Sequence, residues 1–448
     1  MNDIVQRLRD MRLALRKNEV WRNVDFDDFL TDDLCMPSAC DHCDYDYHCN
    51  IPDLDTFRMA LVNGFCHQPL QTLPNGVVMG GLREASKQMP ELVERFFGRC
   101  AVQTVTRNFT TLADVKTGKK MENPYLDANT ELYSDGLFVY VPDNVVVEKP
   151  IQMLSVIQNG TPLLLHTRNL VYVGRNSKVS LVHCDDSYDQ NGSFSNNVTE
   201  IYVDENASVA HYKMQNLNDK SALLNHTYVA MRRDARLCSV AVSLNGGHIR
   251  NHSEVRMTDE GCDAQVHGLY LIDKEQKVDN YIYVEHAHPN CHSNELFKGI
   301  MDDSARATFN GHVLVSDGAT KTEAYQSNKN ILMTDKAVVN TKPFLEIYND
   351  DVKCSHGSTI GQLDELALFY IRSRGVSEHT AKTLLLYAFC DEIIQKIELP
   401  SLRERMSDMV KKRLHGELSV CSDCALHCNT PCNGEEAAKT FKINVGKL

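Results

Sequence analysis

Cys354 and His356 stand two residues apart in the run Asp350-Asp351-Val352-Lys353-Cys354-Ser355-His356-Gly357, where a long β-patterned region gives way to helices. In an extended chain, residues i and i+2 point to the same side. The thiol and the imidazole then face one metal or one partner together. A soft thiolate with an imidazole suits iron, zinc or copper(I) better than magnesium or calcium. The plain alternative is a buried cysteine and a turn histidine, the usual fate of unpaired cysteine.

Three further groups carry metal-binding residue types. Cys421, Cys424, Cys428 and Cys432 form a C-x2-C-x3-C-x3-C array that can reach one tetrahedral ion or cluster. It is close to the ferredoxin run, but Pro431 precedes the last cysteine instead of following it. Cys35, Cys40, Cys43 and Cys49, with His42 and His48 between them, have irregular spacing that still suits zinc or a cluster. The competing reading of both is reduced surface thiols; joint ligation by the two segments is a third. His286 and His288 alternate, but Pro289 breaks a strand there, which favours a structural role.

Motifs for several other chemistries are missing. No GxxxxGK[ST] loop is present, so the chain is not expected to hydrolyse ATP. Neither HExxH nor a Gly-x-Ser-x-Gly elbow occurs. The 448 residues carry 47 Lys+Arg against 60 Asp+Glu, a net charge of −13. That excess of acid argues against nucleic acid and against an anionic membrane surface. No run approaches the ~18 apolar residues of a membrane span, and Met1 to Arg9 has no apolar signal region. A cytoplasmic location is expected, where the sixteen cysteines stay reduced.

The elements that must hold these residues are partly visible. Ile4, Val5, Leu8, Met11 and Leu15 predict a helix within residues 1–20. From Asn129 to Tyr348, short β-branched runs alternate with polar turns that end on a small residue. That small residue falls at Ser177, Ala207 and Ala235, and again at Ala305, Ala319 and Ala337. A rung of roughly 30 residues with two similar halves fits a β-helix. An antiparallel sandwich also has many short strands, and the repeat alone leaves both open. After Gly361 the period turns helical: Leu363, Leu366, Ala367 and Tyr370 share a face, Gly375 closes that helix, and Ser377 caps the next. Ser401 with Glu404 reads as a capping box for a third. The expected units are a mixed N-terminal region 1–128, a strand core 129–357, a helical domain 358–418 and a Cys-rich tail 419–448.

The words around Cys354 resemble the SufD family of iron–sulfur cluster assembly proteins. So do Ser293-Asn294-Glu295-Leu296-Phe297-Lys298-Gly299-Ile300, Ala324-Tyr325-Gln326-Ser327-Asn328, Asn340-Thr341-Lys342-Pro343 and Leu345-Glu346-Ile347-Tyr348. Asp135 to Pro142 and Val147 to Gln152 look like the block that SufD shares with its sister SufB. The wording Cys354-Ser355-His356-Gly357, with Gln362-Leu363-Asp364-Glu365 after it, favours SufD over SufB. The likeness covers about residues 70 to 398 and omits both Cys-rich segments.

This resemblance implies a right-handed parallel β-helix flanked by helical regions at both ends. It implies a non-catalytic component of the SUF complex, paired with a SufB-like scaffold and a SufC-like ABC-type ATPase, or with its own copy when alone. Cys354 and His356 match the family's Cys and His at the SufB–SufD contact, where iron or a nascent cluster is held transiently. The helix face of Leu366, Phe369 and Tyr370 would dock the ATPase. The rival readings are a polysaccharide-cleaving β-helix enzyme, and a metal-storage or redox-sensing protein built on the terminal cysteines.

Overall fold

The computed structural model describes residues 2–15, 18–38, 54–101 and 123–415. Its centre is a parallel β-solenoid, and the small residues that punctuate the sequence are its corners. Ser177, Ala207, Ala235, Ala305, Ala319 and Ala337 are each 5% exposed or less. Several follow a residue in the left-handed region: Asn176, Asn206 and Asp234 have φ of 56°, 54° and 55°. Asparagine and aspartate tolerate that conformation better than other residues with a side chain. The corner asparagines also stack. Asn176 Nδ2 donates to Asn144 Oδ1 (2.8 Å) and Asn206 Nδ2 to Asn176 Oδ1 (3.0 Å). Parallel pairing of the stacked strands excludes the alternative of an antiparallel sandwich.

The described strands form two ten-stranded sheets, and from β5 onward successive strands alternate between them. The first runs Phe65–Cys66 (β2), Phe57–Val62 (β1), Ile151–Ile157 (β6), Lys178–Ser187 (β8), Ser208–Asn216 (β10), Arg236–Asn245 (β12), Asp263–Ile272 (β14), His292–Met301 (β16), Thr322–Leu332 (β18) and Val352–Gly361 (β20). The second runs Val338–Ile347 (β19), Arg306–Val315 (β17), Lys277–His286 (β15), His248–Met257 (β13), Ser221–Met231 (β11), Ser193–Val203 (β9), Leu163–Val173 (β7), Leu137–Val141 (β5), Val78–Gly81 (β4) and Gln71–Thr72 (β3). Pairing is parallel throughout the stack from β5 and β6 onward. The N-terminal β1 joins it in parallel, with Phe57 in register with Ile151.

Parallel sheets of this kind are covered on both faces. The N-terminal segment covers the second sheet: Val5, Leu8, Trp21 and Phe26 pack on Leu164, Phe194, Ala222 and Leu224. Asn2–Leu15 (α1) contributes to that cover; Leu82–Gln88 (α2), Pro90–Phe96 (α3) and Pro124–Leu132 (α4) lie in the same N-terminal part. The buried Arg168 on β7 pairs with Glu200 on β9 at 2.6 Å, and Glu200 accepts from the Gly98 and Cys100 amides. The C-terminal helices Glu365–Ser373 (α5), Glu378–Ile394 (α6) and Pro400–Leu414 (α7) follow β20. Leu386, Cys390, Ile393, Leu402 and Met406 from α6 and α7 pack on Val240, Val242, Leu269 and Ile300 of the first sheet.

The expected capping box is corrected. Helix α7 begins at Pro400 with Leu399 as its N-cap, so Ser401 lies inside it. Proline at the first position presets φ and has no amide to satisfy, which moves the start ahead of the serine. Ser377 does cap α6, accepting from the Thr380 amide, and Gly375 follows α5 with φ of 86°. The divisions at 128/129 and 357/358 fall inside α4 and β20 respectively.

Candidate functional site

Among the described residues, β20 ends the first sheet and β19 ends the second, so each is hydrogen-bonded to a sheet neighbour on one side only. β20 has no buried residue, and β19 has one, Val339. An unpaired edge of this kind presents free amides and carbonyls as a template for another strand. Large apolar side chains surround it: Tyr325, Phe344, Ile347, Tyr348 and Ile360 are all exposed.

Cys354 is in register with Ala324 and half-buried against Val313, Val315, Ala319 and Leu345. Its side chain therefore turns into the open end of the solenoid. Burial raises its thiol above the ordinary value. Strand alternation places His356 on the same inner side of β20. His356 is exposed and in register with Gln326. Two residues further on, Ser358 Oγ donates to Thr341 Oγ1 across the interior at 2.9 Å. A thiol and an imidazole thus share this rim. Among the described residues, no three His, Cys, Asp or Glu side chains converge on a common metal position.

Helix α5 leaves β20 at once, capped by Asp364, which accepts from the Leu366 and Ala367 amides. Its outer face is bare: Leu366 is 80% exposed, Phe369 72% and Tyr370 60%. No residue of this helix is buried.

Cys35 is exposed, bridged to Leu163 at the start of β7, six strands from β19 in the second sheet. Cys40, Cys43 and Cys49, with His42 and His48, lie outside the described residues, as do Cys421, Cys424, Cys428 and Cys432. His286 is buried, with Nε2 2.9 Å from Ser293 Oγ, and His288 falls beyond the end of β15. The strand stops before the two can share a face, in keeping with a structural role.

Sequence patterning missed the polar interior. Lys213 Nζ lies 2.7 Å from Asp185 and 3.0 Å from His183 Nε2, all fully enclosed. Burial, aided by the Lys213 charge, holds His183 well below the ordinary histidine value. Near the open end, Gln326 Nε2 donates to Glu295 Oε2 at 2.6 Å. Burial pushes the Glu295 carboxyl up to about 8. Gln326, Asn328 and Asn330 are buried, but Ser327 and Lys329 between them are polar too, so no alternation in the sequence marks them.

The described residues form a stacked parallel coil whose terminal rung carries Cys354 and His356. The chain matches the family described as SUF system FeS cluster assembly, SufBD core domain, over residues 156–389, and the SufBD N-terminal region over residues 2–153. It is 29% identical to an iron–sulfur cluster assembly SufBD family protein of Synechocystis, over 91% of this chain and 88% of that one. It is 35% identical to the iron–sulfur cluster assembly protein SufD of Escherichia coli, over 48% of this chain and 51% of that one. Against SufD of Bacillus subtilis it is 25% identical, over 76% and 74%. The chain belongs to the SufBD family of iron–sulfur cluster assembly proteins.

Proposed function

We propose that the chain is a SufD-like, non-catalytic component of a SUF assembly complex in the cytoplasm. The observation that carries this reading is the uncovered terminal rung, with Cys354 and His356 on its inner side and apolar residues around it. In this reading β19 and β20 pair with a SufB-like scaffold, or with a second copy when the scaffold is lacking. Leu366, Phe369 and Tyr370 seat a SufC-like ATPase. Nucleotide-driven approach of two ATPase subunits shifts the seam between two arrangements, the kind of two-state element that a ligand biases.

Iron or the nascent cluster is cargo here. A site built from two donors on one chain and the rest from a neighbour holds a cluster and releases it; four cysteines on one chain hold it permanently. The terminal segments Cys35 to Cys49 and Cys421 to Cys432 are proposed as additional metal sites of undefined ion. Among the described residues, no helix is long and apolar enough to cross a membrane.

Anaerobic co-purification with a SufB-like and a SufC-like protein tests the reading. A stable ternary complex carrying iron and sulfide is expected. A chain that copurifies with neither subunit, and forms no cluster in their presence, contradicts it.

A further inference from the structure

Cys354 and His356 supply two donors, and a tetrahedral ion needs four. The next inward-facing polar group is Gln326 on β18, directly beneath His356 in the strand register. Neighbouring strands lie about 4.8 Å apart, which sets Gln326 one rung below the rim. Three features single it out. Gln326 is 3% exposed, yet its Oε1 has no hydrogen-bond partner. Its Nε2 is tied to Glu295 from the rung below, which fixes the amide. Gly311 on the opposite sheet makes room for it: a Cβ there would lie 2.3 Å from Nε2 and 2.6 Å from Oε1. The side chain thus spans the interior and closes it just under the terminal rung.

A buried amide oxygen left without a partner is unfavourable. A cation at the rim removes that cost. We infer that Gln326 Oε1 is a third ligand, from this chain, for a divalent transition-metal ion held by Cys354 and His356. The inference rests on the proposed role of those two residues. Glu295 and Gly311 act through Gln326 as positioning residues.

Cobalt(II) serves as the probe. It is titrated anaerobically into the full chain, and the portion that depends on Cys354 is taken by difference from Cys354→Ala. The wild type is expected to show a thiolate-to-cobalt band. Gln326→Leu should weaken that binding by about tenfold and shift the visible spectrum. Gly311→Ala, which leaves the donor but displaces it, should also weaken binding, and it decides the matter if Gln326→Leu does not fold. Wild-type affinity and spectrum in a folded Gln326→Leu chain, or in Gly311→Ala, overturn the assignment. So does a wild type that binds no Cys354-dependent cobalt. None of these results removes the complex-level role of Cys354 and His356, which fails separately if cluster yield ignores their replacement.

Discussion

Arg413, near the end of the last described helix, grips Asp273 at the corner after β14 through two contacts of 2.7 Å, and donates a third to the Leu244 carbonyl at 2.8 Å. The guanidinium is 5% exposed and the carboxylate 26%. Burial alone would raise the Asp273 carboxyl, but the bonds and charge of Arg413 outweigh it and hold the group below its ordinary value. This one pair spans 140 residues and locks the helical cover to the coil. Lys298 adds a second lock, donating to the Phe389 carbonyl at 2.8 Å and pairing with Glu392.

Arg413→Ala is therefore expected to destabilise by about 2–3 kcal/mol. That is below the ~3–5 kcal/mol of a fully buried broken pair, because Asp273 keeps contact with water. Urea unfolding followed by circular dichroism measures it. Local loosening should show as faster amide exchange in α7 than in β8 to β14.

His166 on β7 gives a pH prediction. It is 1% exposed, neither ring nitrogen has a partner, and burial lowers its value to about 4. The unfolded chain takes up a proton below about pH 6.5 that the folded chain refuses. Stability from this group thus falls as pH drops from 6.5 and levels off below about 4, by about 3 kcal/mol in all. His166→Gln should flatten the unfolding free energy over that window by about 1.4 kcal/mol per pH unit relative to wild type. Equal slopes in the two proteins would refute the buried neutral imidazole.

Gly136 and Gly160 form a contrasting pair. A Cβ at Gly136 would lie 1.4 Å from the Arg168 carbonyl oxygen, a backbone atom that cannot move aside, whereas at Gly160 it would meet nothing within 4 Å. Gly136→Ala is expected to cost at least about 4 kcal/mol, and Gly160→Ala to stay within about 0.5 kcal/mol. Thermal unfolding midpoints of the two variants check the difference.

The bare face of α5 should bind without contributing to stability. Leu366→Asp and Phe369→Asp are expected to leave the unfolding midpoint within a degree or two, since exposed substitutions rarely exceed about 0.5 kcal/mol. The same changes should abolish co-purification with a SufC-like ATPase. Retained ATPase with both aspartates in place would move the docking surface elsewhere.

Much of the coil was legible because its corners are local. A left-handed asparagine or aspartate followed by a buried small residue needs no distant information, and all six small residues singled out are enclosed. The recruitment of β1 was not legible: Phe57 pairs with Ile151 across nearly a hundred residues of sequence, and nothing in its own pattern names that partner. Alternation also failed inside the stack. Strands covered on both faces lose the polar–apolar rhythm, so Lys213, Asp185 and Glu295 carry no sign of burial in the sequence. At the rim, the spacing of Cys354 and His356 placed both on one side of a strand, but the amide beneath them required knowing that Gln326 lies one rung below.

In the proposed function the open rim of the coil, through Cys354 and His356, takes part in building the cluster. The direct test is iron, sulfide and visible absorbance in the anaerobic complex carrying Cys354→Ala or His356→Ala, with subunit composition measured on the same sample. A complex that assembles at wild-type stoichiometry with cluster content reduced by about tenfold agrees with the claim. Wild-type cluster content in both variants contradicts it.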